Sequence, residues 1–433
     1  MRLSAYLKIW PDGPDHVLLY ATRRCAVVRV SRNTLKKIEH GALPEADRAT
    51  LARLGILVDD PAAERAELLN RFSEANRLGK KFHAVVVLNL DCNLACPYCF
   101  EEGVRVGSYM TPETADLLVA MVERDYLSRG REVSLDFYGG EPLLSSDLIR
   151  SIAGRVKNAS EERGLSFSFA LVTNGTLLTR KTAEELKLLG LKDVVVTLDG
   201  PRQVHDRSRP FAAGTGSSYD TIVRNLREVA DLVDLQVGGN FDRENFREFP
   251  RLLDDLMAVG LTPDRVRQVR FNPVMKTIGG PGLPDFRGGC DCANEEWLAD
   301  AILFLREETL ARGFSVPKPG PAGCMIELDN DLVVNHDGAI YRCPAFVGRE
   351  GFAVGDLRDG ISDDGSVYNR DVWKKEECLA CPYLPHCFGG CRFLKFVRDG
   401  NIGDVDCWRP FLDATLEACV RQDQRHRQQK AKA

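Results

Sequence analysis

Between residues 80 and 275, apolar segments alternate with helical patterns, and this alternation constrains the fold more than any other feature. Helix-capping signals separate the apolar segments, such as Thr111 before Pro112 and Gly190 at a helix end. Nearly continuous apolar strands that alternate with helices predict a parallel sheet covered on both faces. An open sheet and a barrel are both compatible with the pattern. The predicted strands are 83–90, 133–137, 167–172, 193–198, 234–239 and 267–272.

Composition excludes several classes of protein. The 433 residues exceed one ordinary domain, and the net charge of -5 gives no sign of a nucleic-acid-binding surface. The N-terminal run MRLSAYLKIWPDG lacks the pattern of a signal peptide, and no stretch approaches the roughly 18 apolar residues of a membrane span. We therefore predict a cytoplasmic protein with no nucleic-acid or membrane partner. The 14 cysteines then indicate metal binding rather than a disulfide scaffold, which would normally be short.

A cysteine-rich loop follows the first predicted strand. The run DCNLACPYCF places Cys92, Cys96 and Cys99 in a Cys-x3-Cys-x2-Cys spacing. Three thiolates bind three irons of a cubane cluster and leave the fourth iron without a protein ligand, whereas an electron-transfer cluster usually has four cysteines. A zinc knuckle built from Cys96 and Cys99 would need two further ligands nearby. The spacing therefore favours an iron–sulfur cluster with an open site.

Further motifs follow the later strands: FYGGEP at 137–142, LVTNGTLL at 171–178, VVVTLDGP at 194–201 and HDRSRP at 205–210. The two glycines of the first motif let a ligand approach the backbone closely, and Glu141 with backbone carbonyls can accept from an ammonium. Parallel α/β folds bind ligands at the carboxyl ends of their strands. Together with the cysteine loop, these motifs resemble the radical S-adenosylmethionine (SAM) enzymes over most of the chain.

The resemblance implies a partial (β/α)6 barrel and a [4Fe–4S] cluster on the three cysteines, with SAM at the open iron. An electron from the cluster would cleave SAM, and a 5'-deoxyadenosyl radical would remove a hydrogen from the substrate. The resemblance identifies no catalytic residue. Asp199 and Asp206 are candidate proton acceptors, with ordinary loop or capping roles as the alternative. The implied SAM-binding residues are Tyr98 on the adenine side, Gly139, Gly140 and Glu141 at the amino group, Thr197 and Arg209 at the methionine carboxylate, and Asn174.

Seven more cysteines lie in the C-terminal region: Cys324, Cys343, Cys378, Cys381, Cys387, Cys391 and Cys407. Their spacing resembles the array of the SPASM domain. That resemblance implies one auxiliary [4Fe–4S] cluster on Cys378, Cys381, Cys387 and Cys407, and another on Cys324, Cys343 and Cys391. The fourth ligand of the second cluster is either Cys290 or Cys292, or it is absent and leaves one iron open for a substrate thiolate. Two zinc ribbons are the alternative reading of the array.

The remaining segments suggest five parts. Residues 1–78 are β-rich and then helical, and they resemble a winged-helix-like α+β module that binds leader peptides; a packing extension of the main domain is the alternative. The barrel spans 80–280, a linker and helix span 281–320, and a loop-rich SPASM iron–sulfur domain spans 321–415. A polar tail at 416–433 is expected to fray from Arg421 onward.

These resemblances imply a SPASM-type peptide maturase, most similar in its N-terminal segments to the geopeptide-type maturases. We expect it to abstract hydrogen from a ribosomally synthesised precursor peptide and to form a thioether or carbon–carbon crosslink. A flavodoxin- or ferredoxin-type protein would supply electrons. The alternatives are a sulfatase-type enzyme that generates formylglycine and a non-enzymatic iron–sulfur carrier or peptide-binding scaffold. The Gly-Gly-Glu-Pro motif argues against a carrier, which needs no cofactor site beside its cluster.

Overall fold

The structure is a computed structural model that describes residues 2–99, 101, 107–275, 290, 293–321, 323–363 and 365–430. The strands are β1 (Arg2–Leu3), β2 (Leu7–Pro11), β3 (His16–Ala21), β4 (Ala26–Ser31), β5 (Leu57–Val58), β6 (Lys81–Asn89), β7 (Glu132–Gly139), β8 (Phe167–Thr173), β9 (Leu191–Thr197), β10 (Asp234–Phe241), β11 (Gln268–Pro273), β12 (Asp331–Val334), β13 (Ala339–Tyr341), β14 (Gly355–Asp356) and β15 (Gly360–Ile361).

The helices are α1 (Arg32–Glu39), α2 (Glu45–Arg53), α3 (Pro61–Leu69), α4 (Arg71–Leu78), α5 (Pro112–Met121), α6 (Ser146–Glu161), α7 (Arg180–Leu188), α8 (Arg202–Ser208), α9 (Ser218–Val229), α10 (Phe249–Ala258), α11 (Glu296–Ala311), α12 (Glu376–Leu379), α13 (Leu384–Cys387), α14 (Arg392–Asp399) and α15 (Arg409–Lys430). Thr111 caps α5 with Pro112 in its first turn, as predicted. None of the helices within the described ranges is long and apolar enough to cross a membrane.

The main sheet contains the six predicted parallel strands. Strands β6 to β11 lie side by side in chain order, and every neighbouring pair among them is parallel. At least one helix lies between each of these strands and the next, which is the order expected of a (β/α)6 unit. Within the described part of the chain the sheet is open, with β11 at one end and β15 at the other.

The burial of these strands differs from the predicted cover on both faces. β6 is buried almost continuously from Ala84 to Asn89, but β7 to β10 alternate buried and half-buried residues. The half-buried residues, such as Tyr138 and Val195, line a cavity inside the curved sheet. One face therefore packs against helices and the other surrounds a space for ligands.

The C-terminal region is attached to this sheet. Strand β12 pairs in parallel with β6, with Asp331 opposite His83, and β13 to β15 continue the sheet in antiparallel fashion. The prediction that the tail frays from Arg421 onward is wrong for the described residues, since α15 continues to Lys430. It packs against α11, where Arg306 pairs with Asp423 at 2.8 Å and Gln422 is buried.

The N-terminal residues form a three-stranded antiparallel sheet in the order β2-β3-β4. Leu19 and other residues on one face pack against α1 and α2, in a cluster that contains Ile38 and Leu51. Tyr20 and others on the opposite face pack against the C-terminal region, in a cluster that contains Leu416. Both faces are therefore covered, and the outer edge of β4 has no strand partner among the described residues.

Candidate functional site

A cavity of about 490 Å³ lies at the carboxyl ends of the parallel strands. This size is typical of small-ligand sites. Nine residues predicted from the sequence line the cavity: Cys92, Cys96, Cys99, Tyr98, Gly139, Gly140, Asn174, Thr197 and Arg209. The cavity is also lined by residues that the sequence did not single out, including Glu101, Asn240, Ala345 and Phe393.

Hydrogen bonds from two directions hold the three-cysteine loop. The backbone N–H of Leu94 donates to Cys92 Sγ at 3.4 Å, and Asn174 Nδ2 donates to the same sulfur at 3.6 Å. Ala95 N donates to the carbonyl of Pro210 at 2.8 Å, so the end of the HDRSRP motif supports the loop. Donors aimed at a cysteine sulfur stabilise the thiolate form that binds metal.

The glycines of the Gly-Gly-Glu-Pro turn allow β7 to approach this loop. Gly139 has φ of 127°, and a Cβ atom there would overlap with the carbonyl oxygen of Asn89. A Cβ atom at Gly140 would overlap with the carbonyl oxygen of Asp91, which also accepts from the N–H of Glu141 at 2.8 Å. Only glycine fits at these two positions, and their backbone forms part of the cavity wall.

Glu141 lies behind this wall rather than on its surface. Its carboxylate is fully buried and accepts from the hydroxyl of Thr173 at 2.7 Å, from Asn174 N at 2.7 Å and from Leu143 N at 3.0 Å. Burial raises the pKa of Glu141, although these hydrogen bonds oppose the shift. The carboxylate therefore connects the turn to the end of β8 and positions Asn174.

A polar network around the buried Asp199 forms another part of the cavity wall. Arg209 Nη1 donates to the hydroxyl oxygen of Tyr98 at 2.8 Å, Tyr98 donates to Asp199, and Asn240 N donates to Asp199 at 2.7 Å. Burial opposes the charge of Arg209, but Tyr98, Cys96 and Asp199 outweigh it and hold the pKa well above its usual value. Asp199 thus supports the network.

The Nε atom of Arg209 is buried and has no hydrogen-bond partner among the residues that the structure describes. An unpaired buried donor costs free energy, and a carboxylate in the cavity would satisfy it. This observation fits a bound amino-acid carboxylate. Asp206, the other candidate proton acceptor, accepts from the hydroxyl of Ser218 at 3.2 Å and from Tyr219 N at 3.0 Å, which is a capping role.

Electrostatic interactions connect several C-terminal cysteines within each of the two predicted groups. Burial, followed by the charges of Cys387, Glu377, Cys407 and Cys381, raises the pKa of Cys378 to about 11. In the other group, burial and the neighbouring Cys324 and Cys391 raise the pKa of Cys343. Repulsion of this kind between thiolates is relieved when they bind a cation. The donor sets therefore fit metal clusters.

Over the described ranges, no group of three or more histidine, cysteine or acidic side chains is arranged to hold a single metal ion. The cysteines of a cubane cluster each bind a different iron, so their separation differs from that of the ligands of one zinc ion. Cys290 is buried beside Met275, with 3.6 Å between the sulfurs, and Met275 lines the cavity. Its role as a fourth ligand stays a prediction. Cys292 lies outside the described residues.

Comparisons with known proteins agree with this site. The Radical SAM superfamily model matches residues 86–256. The radical SAM cyclopropyl synthase TigE of Paramaledivibacter caminithermalis is 30% identical over 76% of this chain and 71% of that protein. The cysteine-type anaerobic sulfatase-maturating enzyme of Clostridium novyi is 24% identical over 70% of this chain and 86% of that protein.

Among solved structures, Streptococcus suis SuiB bound to its precursor peptide SuiA has a similar fold. The TM-score is 0.54 at 15% identity, over 94% of this chain and 98% of that one. The chain belongs to the radical SAM superfamily and is an enzyme of that class. Membership implies SAM and one [4Fe–4S] cluster as cofactors.

Proposed function

We propose that this enzyme abstracts a hydrogen atom from a residue of a ribosomally synthesised precursor peptide and joins that residue to another by a thioether or carbon–carbon bond. One cavity carries the proposal, because it brings the three-cysteine loop together with Ala345 and Phe393. These two residues lie two positions beyond Cys343 and Cys391, in the C-terminal array. The cavity beside the three-cysteine loop therefore extends to residues that follow Cys343 and Cys391 closely in the chain.

In this proposal Cys92, Cys96 and Cys99 hold the radical SAM cluster. Arg209 pairs with the methionine carboxylate, and the backbone of Gly139 and Gly140 accepts from the amino group. Tyr98, Asn174 and Thr197 complete the SAM site, and Glu141 positions Asn174 from behind. When bound, the cluster and SAM supply the radical that removes hydrogen from the peptide. The chain itself orients the reactants and excludes water.

The two C-terminal groups would hold auxiliary [4Fe–4S] clusters. Joining C–H and X–H into a C–X bond releases one hydrogen atom, one proton and one electron, so the reaction needs an electron acceptor. A cluster on Cys324, Cys343 and Cys391 would supply such an acceptor, because Ala345, whose backbone is hydrogen-bonded to Cys343, lines the cavity. Cys407 is exposed, which supports electron exchange with a flavodoxin- or ferredoxin-type partner at the four-cysteine site.

The N-terminal residues would bind the leader part of the precursor. Strand β4 ends its sheet, and an unpaired strand edge can accept an extended peptide by β-augmentation. The likeness to SuiB supports this role, because it covers 94% of this chain and so includes most of the N-terminal residues. The leader-binding role separates this proposal from a sulfatase-type activity.

Formylglycine generation is the second candidate, favoured by the 24% identity to the sulfatase-maturating enzyme. The 30% identity to TigE favours the first candidate. A cyclopropyl synthase makes carbon–carbon bonds, so TigE also favours a carbon–carbon product over a thioether. A passive iron–sulfur carrier would not need the unpaired Arg209 donor beside its cysteines.

The test is an anaerobic reaction of the reconstituted enzyme with SAM, dithionite and the peptide encoded by a neighbouring short reading frame. A crosslink removes two hydrogens from the peptide and creates no aldehyde, as mass spectrometry and a hydrazine probe would show. Deuterium at the attacked carbon should appear in 5'-deoxyadenosine. An aldehyde product would establish the formylglycine alternative. An unmodified peptide, with SAM cleavage intact, would contradict the assignment of this peptide as substrate.

A further inference from the structure

The N-terminal residues 2–78, here called the module, are bonded to the loop that carries three of the four cysteines of one auxiliary site. Residues 378–388 form this auxiliary loop, with Cys378, Cys381 and Cys387. The hydroxyl of Tyr6 donates to the carbonyl of Leu379 at 2.7 Å. The hydroxyl of Thr22 shares its one proton between the carbonyl of Pro382 at 2.8 Å and the carbonyl of Tyr6 at 2.9 Å. Two backbone groups next to cysteines are thus satisfied by the module.

A third contact orients the residue before Cys387. His386 Nδ1 lies 2.7 Å from the carbonyl of Gly320, so this nitrogen carries the proton. His386 Nε2 then accepts from the hydroxyl of Tyr20 at 3.1 Å, and the two rings stack with centroids 5.8 Å apart. The module therefore contacts the loop near each of its three cysteines.

Apolar packing buries a further part of the loop. Phe72 of the module lies edge-on to Phe388 and to Trp373, with centroid distances of 4.9 and 5.8 Å. Trp373 is 0% exposed and Phe388 is 1% exposed. Val27 packs in the same cluster as Cys381. Without the module, this aromatic cluster would face solvent.

The auxiliary loop has little structure of its own to hold its shape. Its two helices, α12 and α13, contain four residues each, which is too short for independent stability. Phe388 has φ of 42°, a conformation that is costly for a bulky residue unless its surroundings impose it. The contacts that impose this conformation include the ring of Phe72.

We propose that the module has a second function, independent of leader binding: it forms the outer wall of the four-cysteine site and holds the auxiliary loop in the conformation that binds iron. This inference rests on the proposed auxiliary cluster. It predicts that iron in this site becomes labile when the bonds from the module are removed, although no cysteine has changed.

The test compares iron release to a chelator from the reconstituted full-length enzyme and from the double variant Tyr6→Phe/Thr22→Val. The variant removes the two hydroxyls that donate to the carbonyls of Leu379 and Pro382. Of about twelve irons, about four should be released roughly tenfold faster, and the other eight at the original rate. The single variants should show smaller effects of the same kind and cover the case in which the double variant fails to fold.

Two controls separate the possible results. Lys36→Ala, on the side of the module away from the loop, should release iron like the unchanged enzyme. In a Cys378→Ala/Cys381→Ala background, which lacks the site, the module variant should have no effect. An unchanged enzyme that binds only about four irons would overturn the proposed auxiliary clusters. An unchanged enzyme with about twelve irons and no accelerated release in folded variants would overturn this inference alone.

Discussion

Different kinds of contact hold the three-cysteine loop of the barrel and the auxiliary loop in place. Hydrogen bonds from the barrel itself hold the first loop, between Ala95 and Pro210 and between Glu141 and Asp91. Contacts from the far end of the chain hold the second: Tyr6 and Leu379 are 373 residues apart. A strand end in a parallel sheet supports a ligand site locally, whereas a loop of short helices depends on a distant partner.

The largest expected effect tests whether the two sites are independent. The Cys92→Ala/Cys96→Ala/Cys99→Ala variant should lose about four irons and all production of 5'-deoxyadenosine, because the radical cluster is absent. Cys378→Ala/Cys381→Ala should also lose about four irons but keep the slow cleavage of SAM without substrate. Iron analysis and chromatography of the nucleoside give both results. Loss of SAM cleavage in the second variant would show that the two sites cannot be treated separately.

The variant Glu141→Ala tests how contacts within the barrel support the proposed SAM site. Its carboxylate connects the Gly-Gly-Glu-Pro turn to Thr173 and Asn174, so its loss should displace the SAM site without removing a cluster ligand. We expect SAM to bind more weakly by about 1.5–3 kcal/mol, roughly tenfold to a hundredfold. Equilibrium binding measures the change. Glu161→Ala, which removes an exposed carboxylate paired with Lys157, is the matched control. Equal affinity in both variants would contradict the positioning role.

Arg209→Lys should have a smaller effect at the same site. Lysine keeps the positive charge but loses the planar fork that reaches both Tyr98 and a carboxylate. We expect SAM affinity to fall roughly tenfold, with the iron content unchanged. Arg207→Lys, an exposed position on α8, provides the control. Full SAM affinity in the Arg209→Lys variant would show that the unpaired Nε atom of the arginine does not face SAM.

The sequence predicts the parallel strands of the barrel well. The apolar run at 193–198 corresponds to β9 at Leu191–Thr197, and all six parallel strands lie within a few residues of their predicted bounds. Such strands can be predicted because their signal lies within a single short segment. The predicted cavity residues are those that the resemblance to the radical SAM enzymes implies. Several of them follow the carboxyl ends of parallel strands, which meet at one edge of the sheet.

Contacts between segments that are distant along the chain could not be predicted from the sequence. Glu141 belongs to a recognisable motif, but its partners Thr173 and Asn174 lie on the next strand, so the direction of its carboxylate depends on the fold. The end of α15 reads as a polar tail, yet Gln422 and His426 are buried against α11. Polar residues that are buried in hydrogen bonds and ion pairs leave no hydropathy signal.

The smallest expected effect concerns the place where the C-terminal region joins the barrel. His83 on β6 lies 3.1 Å from Asp136 on β7 and 3.9 Å from Asp331 on β12, the strand that joins the C-terminal region to the barrel. Burial and the nearby Lys81 oppose the protonated imidazole. The hydrogen bond and the charge of Asp136, together with Asp331, outweigh them and raise the pKa of His83 above 6.5.

Because the folded pKa of His83 is raised, protonation contributes stability that is fully present below the unfolded pKa and is lost as the pH rises through the folded value. The groups are about a quarter to a third exposed, so solvent screening limits the contribution to about 1 kcal/mol or less. We expect the thermal midpoint of the unchanged enzyme to exceed that of His83→Gln most near pH 5.5, and the difference to shrink by about pH 8.5. Scanning calorimetry of both proteins across this range measures the difference.

The control is His336→Gln, because burial lowers the pKa of the His336 imidazole. Its difference in thermal midpoint from the unchanged enzyme should not shrink as the pH rises. A difference that grew with pH would mean that His83 is bound in its neutral form, and that the charge of Asp331 does not hold β12 against β6.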